Sequence, residues 1–114
     1  MNKLTLTAGA RADLTEIKQY LENQLKNAAA AVHVLARITK NLHNLETFPE
    51  MGPPLRGKTF AGQGYRFLVC GSYLAFYRID HDVVIVDRIL YGRRDYAAVL
   101  FGGELTAEED DETK

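Results

Sequence analysis

Three apolar runs in the second half of the chain are separated by very short linkers, and no other feature constrains the fold as strongly. The runs cover residues 65–70, 73–79 and 83–90, and the linkers are Gly71-Ser72 and Asp80-His81-Asp82. β-branched and aromatic side chains are frequent in these runs, and both linkers have the length of hairpin turns. The sequence therefore predicts three consecutive strands that form an antiparallel meander.

A helical hairpin is predicted upstream of the meander. Residues 3–7 alternate between polar and apolar side chains, which indicates a short N-terminal strand. Thr7 is then a suitable N-cap for a helix over residues 8–25, and Asn27 is suitable for a second helix over residues 28–46. Apolar side chains recur at helical spacing in both segments, and so short a break makes the helices antiparallel neighbours. The sequence predicts an α+β fold in which an N-terminal strand and an antiparallel helical hairpin pack on an antiparallel β-sheet.

The expected strand pairing gives the sheet apolar side chains on both faces. A two-residue first turn pairs residue 70 with residue 73, and a three-residue second turn pairs residue 79 with residue 83. The apolar side chains of one face then include Phe67, Leu74, Phe76 and Val86. The helical hairpin covers only one face, and an exposed apolar face marks a protein-binding surface. A one-residue error in the second turn would exchange the faces of the third strand.

Composition and charge indicate one globular domain followed by an acidic tail. The chain has 114 residues, of which 46% are hydrophobic and 25% charged, as is usual for a soluble domain. Residues 1–103 hold 13 Lys and Arg against 9 Asp and Glu, whereas residues 104–114 hold six acidic residues and one lysine. We expect the second segment to be a disordered tail, because its like charges repel and no apolar group anchors them.

The expected location is the cytoplasm, away from membranes. No apolar run approaches the length that crosses a bilayer, and the N-terminal residues lack a secretory pattern. The single Cys70 lies in an apolar strand and has no partner for an intrachain disulfide. A buried structural cysteine in a reducing compartment fits this pattern.

The candidate chemistry lies just past the third strand. Gly92 is followed directly by Arg93, Arg94, Asp95 and Tyr96. The end of a strand is a rigid part of the fold, and residues that bind or react are often found next to such rigid parts. Guanidinium groups beside aromatic rings suit phosphate backbones and unstacked bases, and they equally suit the carboxylates of a protein partner. The alternative is that both arginines are solvated and that Asp95 caps a following helix.

Two further arginines, Arg78 and Arg88, are predicted on one face of the sheet. They extend the basic cluster, or they are rim residues that pair with Asp87 and Asp95. The helical histidines are too far apart to share a metal ion, and the sequence has no nucleophile motif or phosphate-binding glycine loop. The sequence therefore predicts no metal and no cofactor.

Four short motifs follow one another along residues 1–102. They are Asp13-Leu14 with Ile17 and Tyr20, Leu45 with Phe48-Pro49-Glu50-Met51-Gly52, Gly71-Ser72-Tyr73-Leu74-Ala75-Phe76-Tyr77-Arg78, and Arg88-Ile89-Leu90-Tyr91-Gly92-Arg93-Arg94-Asp95. In this order and spacing the chain resembles the RelE/ParE superfamily of toxins from type II toxin–antitoxin modules. The acidic tail lies outside the resemblance.

The superfamily divides by target, and the resemblance implies different chemistry for each branch. RelE-like members cleave mRNA in the ribosomal A site with basic residues on the sheet, whereas ParE-like members inhibit DNA gyrase and are not nucleases. Two lysine positions of the RelE pattern fall near Tyr65 and Phe67 of this chain. Its arginine position falls on Leu74, and its terminal tyrosine falls near Leu100. Metal-free RNA cleavage needs a base, an acid and cations, and only Arg94 matches the RelE pattern.

The resemblance therefore implies a ParE-like, non-enzymatic toxin of a bacterial plasmid-stabilisation module, with a cognate antitoxin and DNA gyrase as partners. The resemblance is also compatible with a homodimer. An mRNA interferase with Arg94 as catalytic residue, and the ribosome and mRNA as partners, is the alternative. An inactive toxin fold that only binds a protein is a second alternative. The predicted target-binding residues are Arg88, Arg93, Arg94, Asp95 and Tyr96, and the predicted antitoxin-binding residues are Phe67, Leu74, Phe76 and Val86.

Overall fold

The computed structural model describes residues 2–25, 27–55 and 64–92, which include two helices packed on a four-stranded sheet. In chain order the elements are β1 (Lys3–Leu6), α1 (Ala8–Leu25), α2 (Ala28–Asn44), β2 (Tyr65–Cys70), β3 (Tyr73–Asp80) and β4 (Val83–Tyr91). The predicted α+β class is confirmed, and the element ends differ from the predicted ones by at most two residues. Neither described helix is long and apolar enough to cross a membrane.

The two helix starts follow from their capping residues. The Thr7 hydroxyl accepts a hydrogen bond from the Ala10 amide at 3.1 Å, and the Asn27 side-chain oxygen accepts one from the Ala30 amide at 3.2 Å. Each bond satisfies an amide that the first helical turn leaves without a partner. Both predicted caps are confirmed.

The sheet has strand order β1-β4-β3-β2 and is mixed rather than wholly antiparallel. The meander of β2, β3 and β4 is antiparallel, as predicted. β1 pairs in parallel with β4, from Lys3 opposite Val83 to Leu6 opposite Val86. The sequence did not predict which strand pairs with β1. The local residue pattern carries no information on pairing between strands that are so far apart along the chain.

The turn between β3 and β4 contains two residues, not the predicted three. Asp80 pairs with Val83 across it, and His81 takes the left-handed backbone conformation with φ 58°. The register of β4 therefore shifts by one residue, and Val86 turns to the face that the helices cover. Because alternate residues point to opposite faces, the predicted placement of Val86 beside Phe76 is wrong.

A β-bulge in β4 changes the register a second time. Phe76 pairs with Arg88, whereas Tyr77 pairs with Val86, so Asp87 is the extra residue. A bulge bends its strand and re-aims the side chains that follow. Beyond the bulge, from Arg88 to Leu90, β4 presents its side chains on the faces that the sequence predicted.

One hydrophobic core fills the space between the helices and the sheet. Its buried members are Ala10, Ile17, Leu21, Ala31, Ile38, Leu42, Leu45, Leu68, Cys70, Tyr73, Ala75, Tyr77, Val84, Val86 and Ile89. The opposite face of the sheet is not open at its centre, because Phe76 and Leu90 are only 0% and 2% exposed. Phe76 lies on the predicted face but is buried there, whereas Val86 is buried on the other face, so neither side chain is exposed as predicted.

Hydrogen bonds hold the loop after α2 against two paired residues of the sheet. Tyr77 lies opposite Arg66 on the neighbouring strand. The Tyr77 hydroxyl donates to the Pro49 carbonyl at 2.7 Å and accepts from the Gly52 amide at 3.1 Å. Arg66 donates to the Gly52 carbonyl at 2.7 Å. A Cβ on Gly52 would lie 2.3 Å from the Phe67 carbonyl oxygen, so this close approach requires glycine.

Candidate functional site

An open groove of about 690 Å³ lies where β4 ends, between the two helices and the turn that joins β2 to β3. Buried side chains form its floor, among them Ile17, Cys70 and Ile89. Exposed side chains form its rim, among them Tyr20 of α1 and Arg37 of α2. An apolar floor with a few polar groups is the usual form of a binding site. This surface is hereafter the β4-end groove.

Three tyrosines bring aromatic surface together in the β4-end groove. The rings of Tyr73 and Tyr91 meet edge to face, with centroids 5.8 Å apart and planes at 69°. Tyr20 and Tyr91 are 59% and 48% exposed, whereas Tyr73 is buried. Burial raises the pKa of Tyr73, and the neighbouring phenols of Tyr20 and Tyr91 add to the rise. The exposed rings are of the kind that dominates protein–protein contacts.

Opposite charges stand on the two helical walls of the β4-end groove. Glu16 of α1 and Arg37 of α2 both line it, and neither forms an ion pair with another residue in the described part of the chain. A guanidinium nitrogen of Arg37 lies 3.8 Å from the point that a Cβ on Gly71 would occupy. Arg37 therefore lies over the turn between β2 and β3, where it can meet a partner.

Arg88 is engaged by Asp13, a contact that the sequence did not indicate. Its Nε and Nη2 atoms donate to the two carboxylate oxygens of Asp13 at 2.7 and 2.9 Å, and the Ile89 amide donates to the same carboxylate at 2.9 Å. The side chains of Asp13 and Arg88 are 7% and 30% exposed. The hydrogen bond to Asp13 raises the pKa of the Arg88 guanidinium. Arg88, a predicted target-binding residue, thus links β4 to α1.

Arg78 and Asp87 form a second ion pair, on the outer face of the sheet. The Arg78 Nε lies 3.1 Å from an Asp87 carboxylate oxygen, and this hydrogen bond raises the pKa of Arg78. Burial, followed by a hydrogen bond with Asp87, raises the pKa of Tyr65. The alternative in which in-strand arginines pair with aspartates is thus confirmed for Arg78 and Asp87, while the described partner of Arg88 is Asp13.

Four of the predicted target-binding residues lie outside the described part of the chain: Arg93, Arg94, Asp95 and Tyr96. The last described residue before them is Gly92, whose amide donates to the Ser72 carbonyl at 2.9 Å. In the sequence, Arg93 and Arg94 follow Tyr91, which lines the β4-end groove, by two and three positions.

Only part of the predicted antitoxin-binding set is accessible. Phe67 and Leu74 are half-buried, and Val69, which lies opposite Leu74, is 58% exposed. Alternation along the strands places all three on the outer face of the sheet. Phe76 and Val86 are completely buried and offer no surface to a partner. The accessible set of Phe67, Val69 and Leu74 is hereafter the outer apolar patch.

Cys70 lies in the floor of the β4-end groove without the properties of a nucleophile. It is 1% exposed, and its Sγ donates to the Leu68 carbonyl at 3.7 Å. Burial raises the pKa of its thiol to about 11, whereas the thiolate is the reactive form. Within residues 2–25, 27–55 and 64–92, no three His, Cys, Asp or Glu side chains are grouped to hold a metal ion.

The site includes residues to which the sequence pattern assigned no role. Asp13 and Tyr20 belong to one of the motifs that carry the family resemblance. Membership in that motif is the only sequence feature that could have identified them as site residues. No sequence feature identified Arg37 as a site residue, since a charged residue on an amphipathic helix is typical of a solvated surface. Their convergence depends on how α1 and α2 pack over the ends of the strands.

Known proteins share this fold. A family model described as the ParE toxin of the type II toxin–antitoxin system parDE matches residues 4–96. The chromosomal ParDE system from P. aeruginosa superposes with a TM-score of 0.68 at 20% identity, over 80% of this chain and 96% of that one. The RelBE2 toxin–antitoxin complex from Mycobacterium tuberculosis gives a TM-score of 0.59 at 24% identity, over 79% and 96% of the two chains. No functionally curated protein matches.

The structural similarities at this level of identity show a shared fold. The family model is more informative, because it extends from within β1 to beyond the end of β4 and so includes both helices and the meander. The chain therefore belongs to the ParE toxin family of type II toxin–antitoxin systems.

Proposed function

We propose that this chain inhibits DNA gyrase by binding it, does not cleave RNA, and is neutralised by a cognate antitoxin. The observation that carries the proposal is the chemistry of the sheet. By the family resemblance, two lysine positions of the RelE pattern fall near Tyr65 and Phe67, and its arginine position falls on Leu74. A toxin that acts by binding needs no catalytic base at these positions.

These three side chains do not supply the chemistry of RNA cleavage. Phe67 and Leu74 carry no titratable group and are half-buried. Burial and the hydrogen bond with Asp87 raise the pKa of Tyr65, so its phenol stays protonated at physiological pH. Cleavage without a metal needs a base for the attacking hydroxyl, an acid for the leaving group and cations for the charged intermediate. The surface favours binding over catalysis.

Two of the in-strand arginines of the sheet, Arg78 and Arg88, are also already paired. Arg78 is held by Asp87 and Arg88 by Asp13. A guanidinium in an ion pair has part of its charge compensated, and its hydrogen-bonding edge is occupied. Neither arginine is therefore presented to a phosphodiester in the way that a ribonuclease site requires.

We place the target-binding surface at the β4-end groove together with the arginine pair that follows it. Tyr20, Tyr91 and Arg37 offer exposed aromatic and cationic surface there. Tyrosine and arginine are enriched among the residues that contribute most to protein–protein binding. We include Arg93 and Arg94 in the proposed surface, since they follow Tyr91 by two and three positions in the sequence.

We place the antitoxin on the outer apolar patch. Val69 is 58% exposed between half-buried Phe67 and Leu74, which leaves apolar surface that a partner can cover. The RelBE2 structure is described as a toxin–antitoxin complex, and this supports an antitoxin as the partner. Phe76 and Val86 are not part of the proposed antitoxin-binding surface, since both are buried.

One protein preparation tested against two targets decides between the functions. The purified chain is added to gyrase acting on relaxed plasmid and, separately, to ribosomes translating a defined mRNA. We expect inhibition of supercoiling and an uncut mRNA. Tyr91→Ala should weaken the inhibition, whereas Val69→Glu, outside the proposed target surface, should retain it.

Cleavage of ribosome-bound mRNA with unaffected supercoiling would contradict the proposal and favour an interferase in which Arg94 is catalytic. Inactivity in both assays, from protein with a folded circular dichroism spectrum, would instead favour a toxin fold that only binds a protein.

A further inference from the structure

The two helical walls of the β4-end groove differ in charge. α2 contains no acidic residue, and its Arg37 lines the groove. α1 contributes Asp13 and Glu16 to the other wall. Both raise the pKa of the Arg88 guanidinium, Asp13 chiefly through its hydrogen bond and Glu16 through its charge. Two carboxylates thus share one guanidinium, so the α1 wall keeps an excess of negative charge.

Arg37 is an exposed cation at the rim of the groove. It forms no ion pair with any residue that the structure describes. Its Nη1 and Cδ atoms lie 3.8 and 3.9 Å from the point that a Cβ on Gly71 would occupy, so the side chain extends from α2 across the turn between β2 and β3. A guanidinium can bind a carboxylate through two parallel hydrogen bonds. Arg37 is therefore available to an acidic side chain of a partner.

The groove between the walls suits apolar side chains. Its floor includes the buried Ile17 and Ile89, and the exposed rings of Tyr20 and Tyr91 stand at its rim. Apolar floors of this kind bind apolar groups. A nucleic-acid strand fits poorly, because its regularly spaced phosphates would pass the acidic α1 wall. A protein segment that carries both apolar and acidic side chains matches the floor and Arg37 together.

We propose that the β4-end groove binds an amphipathic segment of the target protein, whose apolar side chains enter the groove and whose carboxylate pairs with Arg37. A basic side chain of the segment faces Glu16. The inference rests on the proposed function, in which this groove contacts gyrase. It also fixes the direction in which the segment crosses the groove, because a reversed segment would place like charges together.

Exchanging the charges of the two walls tests this direction in the full chain. Glu16→Arg and Arg37→Glu are made singly and together, and the double variant keeps the net charge of the wild type while reversing the pattern. Arg11→Glu is the matched control, because Arg11 is exposed on α1 and does not line the groove. Calorimetric titration with purified gyrase measures affinity at about 0.15 M salt, where distant charges are screened. Thermal unfolding measures the fold.

We expect each single exchange to weaken binding by about tenfold or more, and the double variant to bind no better than either single variant. Arg11→Glu should bind as the wild type does. A double variant that regains wild-type affinity would show that only net charge matters and would overturn the proposed direction. Because Glu16→Arg adds a cation near Arg88, Arg37→Gln provides a milder variant. Unchanged affinity in Arg37→Gln and Arg37→Glu would overturn the role of Arg37.

Isoleucine methyl resonances identify the occupant of the groove. In the full chain, gyrase should shift the methyl signals of Ile17 and Ile89 and leave that of Ile79, which lies opposite Val84 near the other end of the sheet. A shift at Ile79 without one at Ile17 and Ile89 would overturn the proposal. A thymidine oligonucleotide should leave all three signals unchanged. Shifts of the floor residues by the oligonucleotide would favour a nucleic acid and also overturn it.

Failure of the proposed target is a separate outcome. Gyrase binding that Arg37→Glu does not weaken would refute this inference alone. A wild-type chain that arrests growth on induced expression but does not bind gyrase would refute the gyrase proposal, and growth arrest by Arg37→Glu compared with Arg11→Glu would then decide the role of the groove. A folded wild-type chain inactive in both assays would overturn both proposals.

Discussion

The Tyr77 hydroxyl lies 3.1 Å from the Gly52 amide and accepts its hydrogen bond, so the loop after α2 is fixed to the sheet. The same hydroxyl donates to the Pro49 carbonyl at 2.7 Å. Burial raises the pKa of this phenol, which keeps it protonated as a donor at physiological pH. The exposed side chains of Phe48 and Met51 are consequently carried on a loop that is held to the core.

Tyr77→Phe should destabilise the chain by about 1 to 3 kcal/mol. The substitution removes one hydroxyl and leaves the buried Gly52 amide and the Pro49 carbonyl without their partner. Unfolding in urea measures the loss. Tyr20→Phe is the control, because Tyr20 is 59% exposed and its change should stay within about 0.5 kcal/mol. Equal stability of the two variants would contradict the role of this bond.

Gly52→Ala should be more damaging than Tyr77→Phe. The new methyl group would lie 2.3 Å from the Phe67 carbonyl oxygen and 2.8 Å from the Tyr77 hydroxyl, and a backbone atom cannot move aside easily. Gly64→Ala is the matched comparison: Gly64 has φ +86° but nothing within 4 Å of an added Cβ, so only backbone strain of about 1 to 2 kcal/mol is expected. Melting temperatures that fall equally in the two variants would show that the close approach at Gly52 is unimportant.

Phe76→Glu should unfold the chain, whereas Val69→Glu should leave it folded and weaken antitoxin binding. Phe76 is completely buried and Val69 is 58% exposed. A buried carboxylate without a partner costs several kcal/mol, while an exposed one costs little. Circular dichroism and titration with the cognate antitoxin measure the two effects. A folded Phe76→Glu chain that fails to bind antitoxin would instead show that Phe76 is accessible and contacts the antitoxin.

The free energy of unfolding should fall as the pH rises from about 9 to about 11, and Cys70→Ala should make the fall smaller. Burial raises the pKa of the Cys70 thiol from 9.0 to about 11. In this window the unfolded chain has lost the thiol proton and the folded chain has kept it, so the folded state binds more protons and stability decreases with pH. Below pH 9 the contribution is fully present.

Urea unfolding from pH 7 to pH 11 measures this dependence. The variant keeps a residual slope, because burial also raises the pKa values of Tyr65, Tyr73 and Tyr77. Parallel pH curves for the wild type and Cys70→Ala would show that the thiol makes no contribution.

Local chemistry was sufficient to predict the elements of this fold but not all of its registers. The caps Thr7 and Asn27 and the Gly71-Ser72 turn act within a few residues, so the sequence alone indicates them. The second turn was misjudged because His81 adopts a left-handed backbone, which is uncommon for a residue other than glycine. The bulge at Asp87 then changed the register again, and no local pattern marks it.

The candidate site was less predictable than the fold. The sequence predicts binding groups at the end of the last strand, and the β4-end groove lies beside that end, but the role of the groups stays a prediction. Asp13 and Arg88 are 75 positions apart, and their pairing depends on how α1 crosses β4. The predicted face of Val86 depended on the length of the second turn. Because Asp80 was assigned to the turn instead of to β3, Val86 was predicted at an interface, whereas it lies in the core.

The measurement that tests the central claim most directly is the concentration dependence of gyrase inhibition by the wild-type chain and Arg94→Lys. An arginine can form two parallel hydrogen bonds to a carboxylate or phosphate, and a lysine cannot reproduce them. We predict that the wild type inhibits supercoiling and that Arg94→Lys, at equal folded concentration, is weaker by about thirtyfold or more. A wild-type chain that leaves supercoiling unaffected at every concentration would contradict the account.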